Sequence, residues 1–169
     1  MHRLLRLLKH RWHDERDAHR ALGPGALERL TEKVKASEAR HSGEIRICVE
    51  GGLPLSYLRR HATARERAIT LFGKLRVWDT EHNNGVLIYL LLAERCIEIV
   101  ADRGLSRHVS QAQWDEVVQR ASAALQTSRS IEAGLATALD AVTELLVAHF
   151  PLKPGEARSN ELPDAPVIT

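Results

Sequence analysis

Cysteine is nearly absent. Cys48 and Cys96 are the only two in 169 residues, too few for the disulfide framework of a small secreted domain. Each lies in an apolar, β-rich run where a small buried thiol is ordinary, and a single bond between neighbouring strands stays geometrically open. Long apolar runs are missing too. The stretch from Val86 to Ala93 is less than half of the roughly 20 residues that a transmembrane helix needs, so no transmembrane segment is expected. The first dozen residues alternate basic side chains with leucine and have neither the apolar centre nor the small-residue cleavage site of a secretory signal, which makes the cytoplasm the expected compartment. Charge of one sign is also lacking. With 24 Lys and Arg against 22 Asp and Glu, the formal net charge is +2, and bulk charge gives no reason to expect a nucleic-acid partner.

Several catalytic signatures are absent as well. There is no glycine-rich phosphate loop with lysine, no Cys-x5-Arg, no paired Asp-x-Asp at a strand end, no Gly-x-Ser-x-Gly elbow and no His-Glu-x-x-His helix. The nine histidines form no recognisable ligand set, because a zinc site needs three or four converging donors. Trp12, Trp78 and Trp114 are not interleaved with basic residues as in a nucleic-acid stacking platform, and they read as core or edge packing.

What is present is an ordinary globular composition, 44% apolar and 27% charged, over the length of one domain. Residues 1–22 read as one basic amphipathic helix, with Leu4, Leu5, Leu8 and Trp12 on a stripe among Arg3, Arg6, Lys9 and Arg11. Its stripe must dock on the domain, on a protein partner or on an anionic membrane surface. Gly23-Pro24-Gly25 separates it from the domain proper, residues 25–150. There a helix begins near Ala26, and residues 44–50 alternate as a strand. A long helix from Leu55 to Lys74 turns Leu58, Ala62, Ile69 and Phe72 inward and Arg59, Arg60, Arg65 and Arg67 outward. Residues 86–92 are apolar on both alternating sets, which predicts a central strand covered on two sides. A short connection leads to residues 96–101, a hairpin partner. Ser110-x-x-Gln113 caps one C-terminal helix, and a second runs from Ile131 to Phe150. The expected fold is a small three-layer α/β/α sandwich whose mixed sheet combines a βαβ unit with a β-hairpin, followed by C-terminal helices. Residues 151–169, with Pro151, Pro154, Pro163 and Pro166, read as an extended proline-rich tail.

Candidate chemistry concentrates where a polar loop runs into the central strand. The hairpin places the loop from Asp79 to Asn84 and the turn from Asp102 to Gly104 at one end of the sheet. Asp79, Glu81, Asn83, Asn84 and Asp102 supply hard oxygen donors of the kind that Ca²⁺ or Mg²⁺ accepts, although the spacing does not match an EF-hand. The same Asp and Asn residues equally serve as turn formers. For phosphate-ester hydrolysis Arg103 would offset phosphoryl charge, and Asp79, Asp102 or His82 would act as base. Asn83, Asn84 and Arg103 are the candidate contacts to a polar ligand.

The run Asn83-Asn84-Gly85-Val86-Leu87-Ile88, the hairpin to Ile97-Glu98-Ile99, and Asp102-x-Gly104-Leu105 followed by a helix resemble the TPM domain. That family is named for a thylakoid lumen protein, a photosystem II repair protein and a nematode receptor modulator. The resemblance covers residues 43–150 and is closest to a short branch of the family without a membrane anchor. It implies a small α/β sandwich, calcium binding in some members, and an acid phosphatase activity ascribed to the plant member. Two functions follow as expectations: a module that binds a cation or polar ligand in its cleft and acts on a protein or membrane partner, or a divalent-metal-dependent phosphomonoesterase using the same cleft. Whether the chain is an enzyme at all stays open at this point.

Overall fold

The computed structural model describes all residues except 1, 153, 154 and 156–159, and describes the backbone alone for 2–4. The expected positions of Arg3 and Leu4 on the helical stripe, and of Pro154 in the tail, therefore lie outside the described side chains.

A four-stranded sheet runs in the order β3-β2-β1-β4. Strand β1 (Glu44–Glu50) pairs in parallel with β2 (Gly85–Leu91), from Glu44 opposite Gly85 to Glu50 opposite Leu91. Strand β3 (Cys96–Ala101) returns antiparallel to β2, with Val86 opposite Ala101. All of β2 is buried, as its unbroken apolar run requires. Side chains alternate across a strand, so Val86, Ile88 and Leu90 enter one apolar cluster while Leu87, Tyr89 and Leu91 enter another on the opposite face. Helices cover both faces, and the sandwich and mixed sheet read from the sequence are present. Cys48 and Cys96 are both free thiols.

The first helix is not continuous. It divides into α1 (His2–Arg11) and α2 (Glu15–Leu22), because Asp14 closes a reciprocal capping box with Asp17 and starts a new helix. The two pieces serve different faces. Leu7 of α1 packs with Leu53 and Leu58 on one side of the sheet. Ala18 and Leu22 of α2 are buried on the other, with α3 (Ala26–Glu38), α7 (Gln111–Thr127) and α8 (Ile131–His149). The chain crosses the sheet end between them, directly over the two glycines that follow β1. A Cβ on Gly51 would lie 2.5 Å from the Asp14 carbonyl oxygen, and one on Gly52 would lie 2.4 Å from that of His10. Only glycine admits the crossing. Ala18 and Leu22 thus pack α2 into the core cluster that α3, α7 and α8 share.

The expected helix from Leu55 to Lys74 also divides, into α4 (Leu55–Arg59) and α5 (Ala64–Lys74), with Thr63 and Glu66 forming the second capping box. The restart changes the phase of the helical faces. Ile69, expected inside, is exposed, and Arg67, expected outside, is buried. Arg59, Arg60 and Arg65 do face outward.

The C-terminal residues return to the sheet, where an extended tail alone was expected. β4 (Val167–Ile168) pairs in parallel with the free edge of β1. Buried Leu162 donates its amide to Glu44 Oε2 at 3.1 Å, and the Arg46 guanidinium donates to the Pro163 and Ala165 carbonyls.

Candidate functional site

The polar loop and the turn after β3 meet as the hairpin requires. Asp102 donates its amide to the Gly85 carbonyl at 2.9 Å, and Gly104 donates to the Asn83 carbonyl at 2.8 Å. The approach is closer than any side chain allows. A Cβ on Gly104 would sit 2.4 Å from the Asn83 oxygen and 2.6 Å from the His82 oxygen, and one on Gly85 would sit 1.9 Å from the Val77 oxygen. Two glycines therefore fix how the loop lies against the sheet. Asn83 takes a left-handed backbone, φ 52°, which asparagine adopts more readily than most residues.

The turn-forming hydrogen bonds do not come from the acidic side chains. Thr80 accepts the Asn84 amide through Oγ1 at 3.1 Å, and Asn83 donates its amide to the Thr80 carbonyl at 3.2 Å. Asn84 is buried, and its side-chain amide points across to Ser42, donating to the Ser42 carbonyl at 3.2 Å. Asp79, Glu81, His82, Asn83 and Arg103 are exposed. The Glu81 amide is held at 2.9 Å by the carboxylate of Glu161, a C-terminal residue that no local pattern tied to this loop.

Asp102 differs from the other candidates. It is only 7% exposed. Its Oδ1 accepts the Arg103 amide at 2.6 Å, at the start of the short helix α6 (Arg103–Ser106), while its Oδ2 is buried with no hydrogen-bond partner among the described residues. The structure thus joins Asn83, Asp102 and Gly104 closely, leaves Asp79 and Glu81 at the surface, and turns the Asn84 side chain toward Ser42. Among the described residues no three His, Cys, Asp or Glu side chains converge as a metal-holding group. The fit to a divalent ion accordingly rests on one buried carboxylate oxygen, Oδ2 of Asp102.

A groove of about 680 Å³ opens beside the turn, along β3, between Arg65 of α5 and Trp114 of α7, with Ala101 and Ser106 at its near end. Burial raises the Glu98 carboxyl there above the usual carboxylate range, against the pull of Arg65 at 3.8 Å. The cysteines offer no nucleophile, since burial pushes both thiols up to about 12.

Two buried polar groups escaped sequence reasoning. On the α5 face, Arg67 donates from Nε and Nη2 to the Glu50 carboxylate at 2.5–3.0 Å, and Tyr89 donates its hydroxyl to Glu50 Oε2 at 2.6 Å. Hydrogen bonding to Glu50 raises the Arg67 pKa further, so the guanidinium stays charged. Under α1, His10 accepts the Leu53 amide at Nδ1 (3.0 Å) and donates from Nε2 to Glu94 (2.9 Å), which Arg6 also engages. A polar residue at the end of a strand or on a helix facing a sheet is the only local signal for either group.

Comparison with known proteins decides the family: the profile of the TPM domain matches residues 16–145. The chain belongs to the TPM domain family. The match begins within α2, in keeping with the place of that helix in the core. Among solved structures, the TPM-domain chain is similar to the BA42 protein of the psychrophilic bacterium Bizionia argentinensis. The identity is 24% and the TM-score 0.73, over 86% of this chain and 94% of that one. The N-terminal domain of a protein from P. gingivalis superposes with a TM-score of 0.59 at 18% identity, over 79% of this chain and 83% of that one. At such identities these likenesses establish the fold. No curated protein sequence matches. Among the described residues no helix of this TPM-domain protein is long and apolar enough to cross a membrane.

Proposed function

We propose that this TPM domain is a binding module. It takes a cation or small polar ligand where the loop of residues 79–84 meets the turn of residues 102–104, and it associates through its N-terminal helix with a protein or membrane partner. The observation that carries the first part is Asp102. A buried carboxylate oxygen left without a partner costs on the order of 1–3 kcal/mol, more when charged. A cation or a hydrogen-bond donor supplied by a ligand offsets that cost. Carboxylate oxygen is the donor that Ca²⁺ and Mg²⁺ accept, and with a single buried carboxylate such an ion retains part of its water shell. Exposed Asn83 and Arg103 are the neighbours placed to contact a ligand's polar groups.

A second reading, hydrolysis of a phosphate ester at the same place, draws on Arg103, which is exposed and directly follows Asp102 in the chain. In that reading Arg103 offsets phosphoryl charge and Asp102 orients or activates water. Calorimetric titration of Ca²⁺ and Mg²⁺ into the wild type and into Asp102→Asn tests the binding reading. Heat of binding in the wild type and none in the variant is expected. Equal behaviour of the two proteins removes Asp102 from the site. A generic phosphate ester turned over only with divalent ion present, and not after chelation, converts the module into a phosphatase.

A further inference from the structure

Large apolar side chains are left exposed on α1 and at the start of α4. Leu5, Leu8 and Trp12 are 57%, 46% and 78% exposed, and Leu55 at the start of α4 is 54% exposed. The first three are spaced i, i+3 and i+7, which places them on one side of α1 and its last turn. Leu8 and Leu55 line a common open groove of about 250 Å³, floored by Leu7, Leu53 and Leu58. The opposite side of α1 holds the helix to the domain. Arg6 donates to Glu94 and to the Ala62 carbonyl at 2.9 Å each, and His10 is buried between Leu53 and Glu94. The leucine stripe is therefore not the docking face of the helix, as amphipathicity alone suggests. It is turned outward while Arg6 and His10 face in.

We infer that this outward face seats the protein on a membrane surface rich in anionic lipid, with α1 lying in the interfacial plane. The inference rests on the reading that the N-terminal helix serves association, and it is independent of the ligand site. Charge selects the occupant. Lys9 and Arg11 are exposed and lie on either side of the stripe, and residues 2–12 contain no acidic side chain. A second copy docking by the same face would set these cations against their own counterparts, whereas lipid phosphate complements them. Tryptophan, with an apolar body and one N–H, suits the headgroup boundary, and Trp12 is the most exposed of the four. A short helix with few basic residues gives reversible, salt-sensitive attachment.

The test is flotation of the full chain with vesicles of phosphatidylcholine alone and of an equal mixture with phosphatidylglycerol, at low and high salt. Binding to the mixed vesicles at low salt, and loss of it at high salt or on pure phosphatidylcholine, is expected. Lys9→Gln weakens binding about fivefold, and the combined variant Leu5→Gln, Leu8→Gln, Trp12→Ser abolishes it. The variant's melting temperature confirms that it is folded, because these side chains are exposed. Its cation titration reports separately on the ligand site and is unchanged. No binding to mixed vesicles, equal binding to both compositions, or binding that survives the triple substitution overturns the inference. So does self-association in the absence of lipid that the triple variant abolishes, which assigns the face to a second copy.

Discussion

Arg67→Met isolates a buried charge. Arg67 and Glu50 are 8% and 2% exposed, and the guanidinium also lies 5.1 Å from the centre of the Tyr57 ring. Methionine fills much of the same volume but leaves the Glu50 carboxylate in the core with only the Tyr89 hydroxyl to solvate it. Removing one partner of a buried ion pair costs about 3–5 kcal/mol. For a domain of this size each kcal/mol shifts the melting temperature by roughly 2–4 °C, so a fall of about 6–20 °C is expected. A companion measurement identifies the cause. Glu50→Gln in the Arg67→Met background removes the stranded carboxylate while keeping an acceptor for Tyr89, and it recovers most of the loss. Thermal melts of the single and double variants beside the wild type read the effect. An Arg67→Met protein that melts within about 2–4 °C of the wild type, or a double variant that recovers nothing, would mean that water reaches Glu50 and that no buried carboxylate is stranded.

Other outcomes follow from single contacts. Gly104→Ala forces a methyl against the Asn83 and His82 carbonyls, and it should cost about 1–3 kcal/mol in denaturant melts and speed hydrogen exchange at Gly104. His10 is held neutral: burial lowers its pKa most, with Arg6 and Lys9 adding to this, and Glu94 opposes them. Because the native pKa is depressed, the unfolded chain binds a proton that the native one rejects. Stability is then complete above about pH 6.5 and declines below it, by up to about 1.4 kcal/mol per pH unit. Hydrogen exchange in α1 should accelerate over that range, and His10→Ala should flatten the dependence. Asp102→Asn keeps an acceptor for the Arg103 amide, so its stability in denaturant melts should hold within about 0.5 kcal/mol or rise.

What the sequence shows of this fold follows from how local each signal is. β2 is legible because seven consecutive apolar residues have no solvent-facing set. The hairpin follows from the short link between two β-rich runs, and with it the meeting of residues 79–84 and 102–104. Thr63-x-x-Glu66 carries the break between α4 and α5 in plain view, yet it is easily overrun by the apolar positions on either side. Arg67 is different. On a helix between Glu66 and Ala68 it reads as surface, and only the pairing of β1 with β2 brings Glu50 and Tyr89 beneath it. Two-residue β4 has no periodicity to detect. At the site, Asp102 reads as one turn residue among several donors, since burial of a single carboxylate oxygen is set by tertiary packing that no spacing encodes.

The central claim, that the junction around Asp102 receives a cation or polar ligand, is tested most directly by following backbone amide resonances while Ca²⁺ or Mg²⁺ is added to the full chain. Saturable shifts are expected at residues 82–85 and 102–104, absent in Asp102→Asn and not reproduced by matched monovalent salt. Shifts confined to exposed carboxylates such as Asp79 and Glu81, or no shift near Asp102 at saturating ion, would contradict a cation there. A matched titration with inorganic phosphate that also leaves those residues unmoved would exclude an anionic ligand held by Arg103.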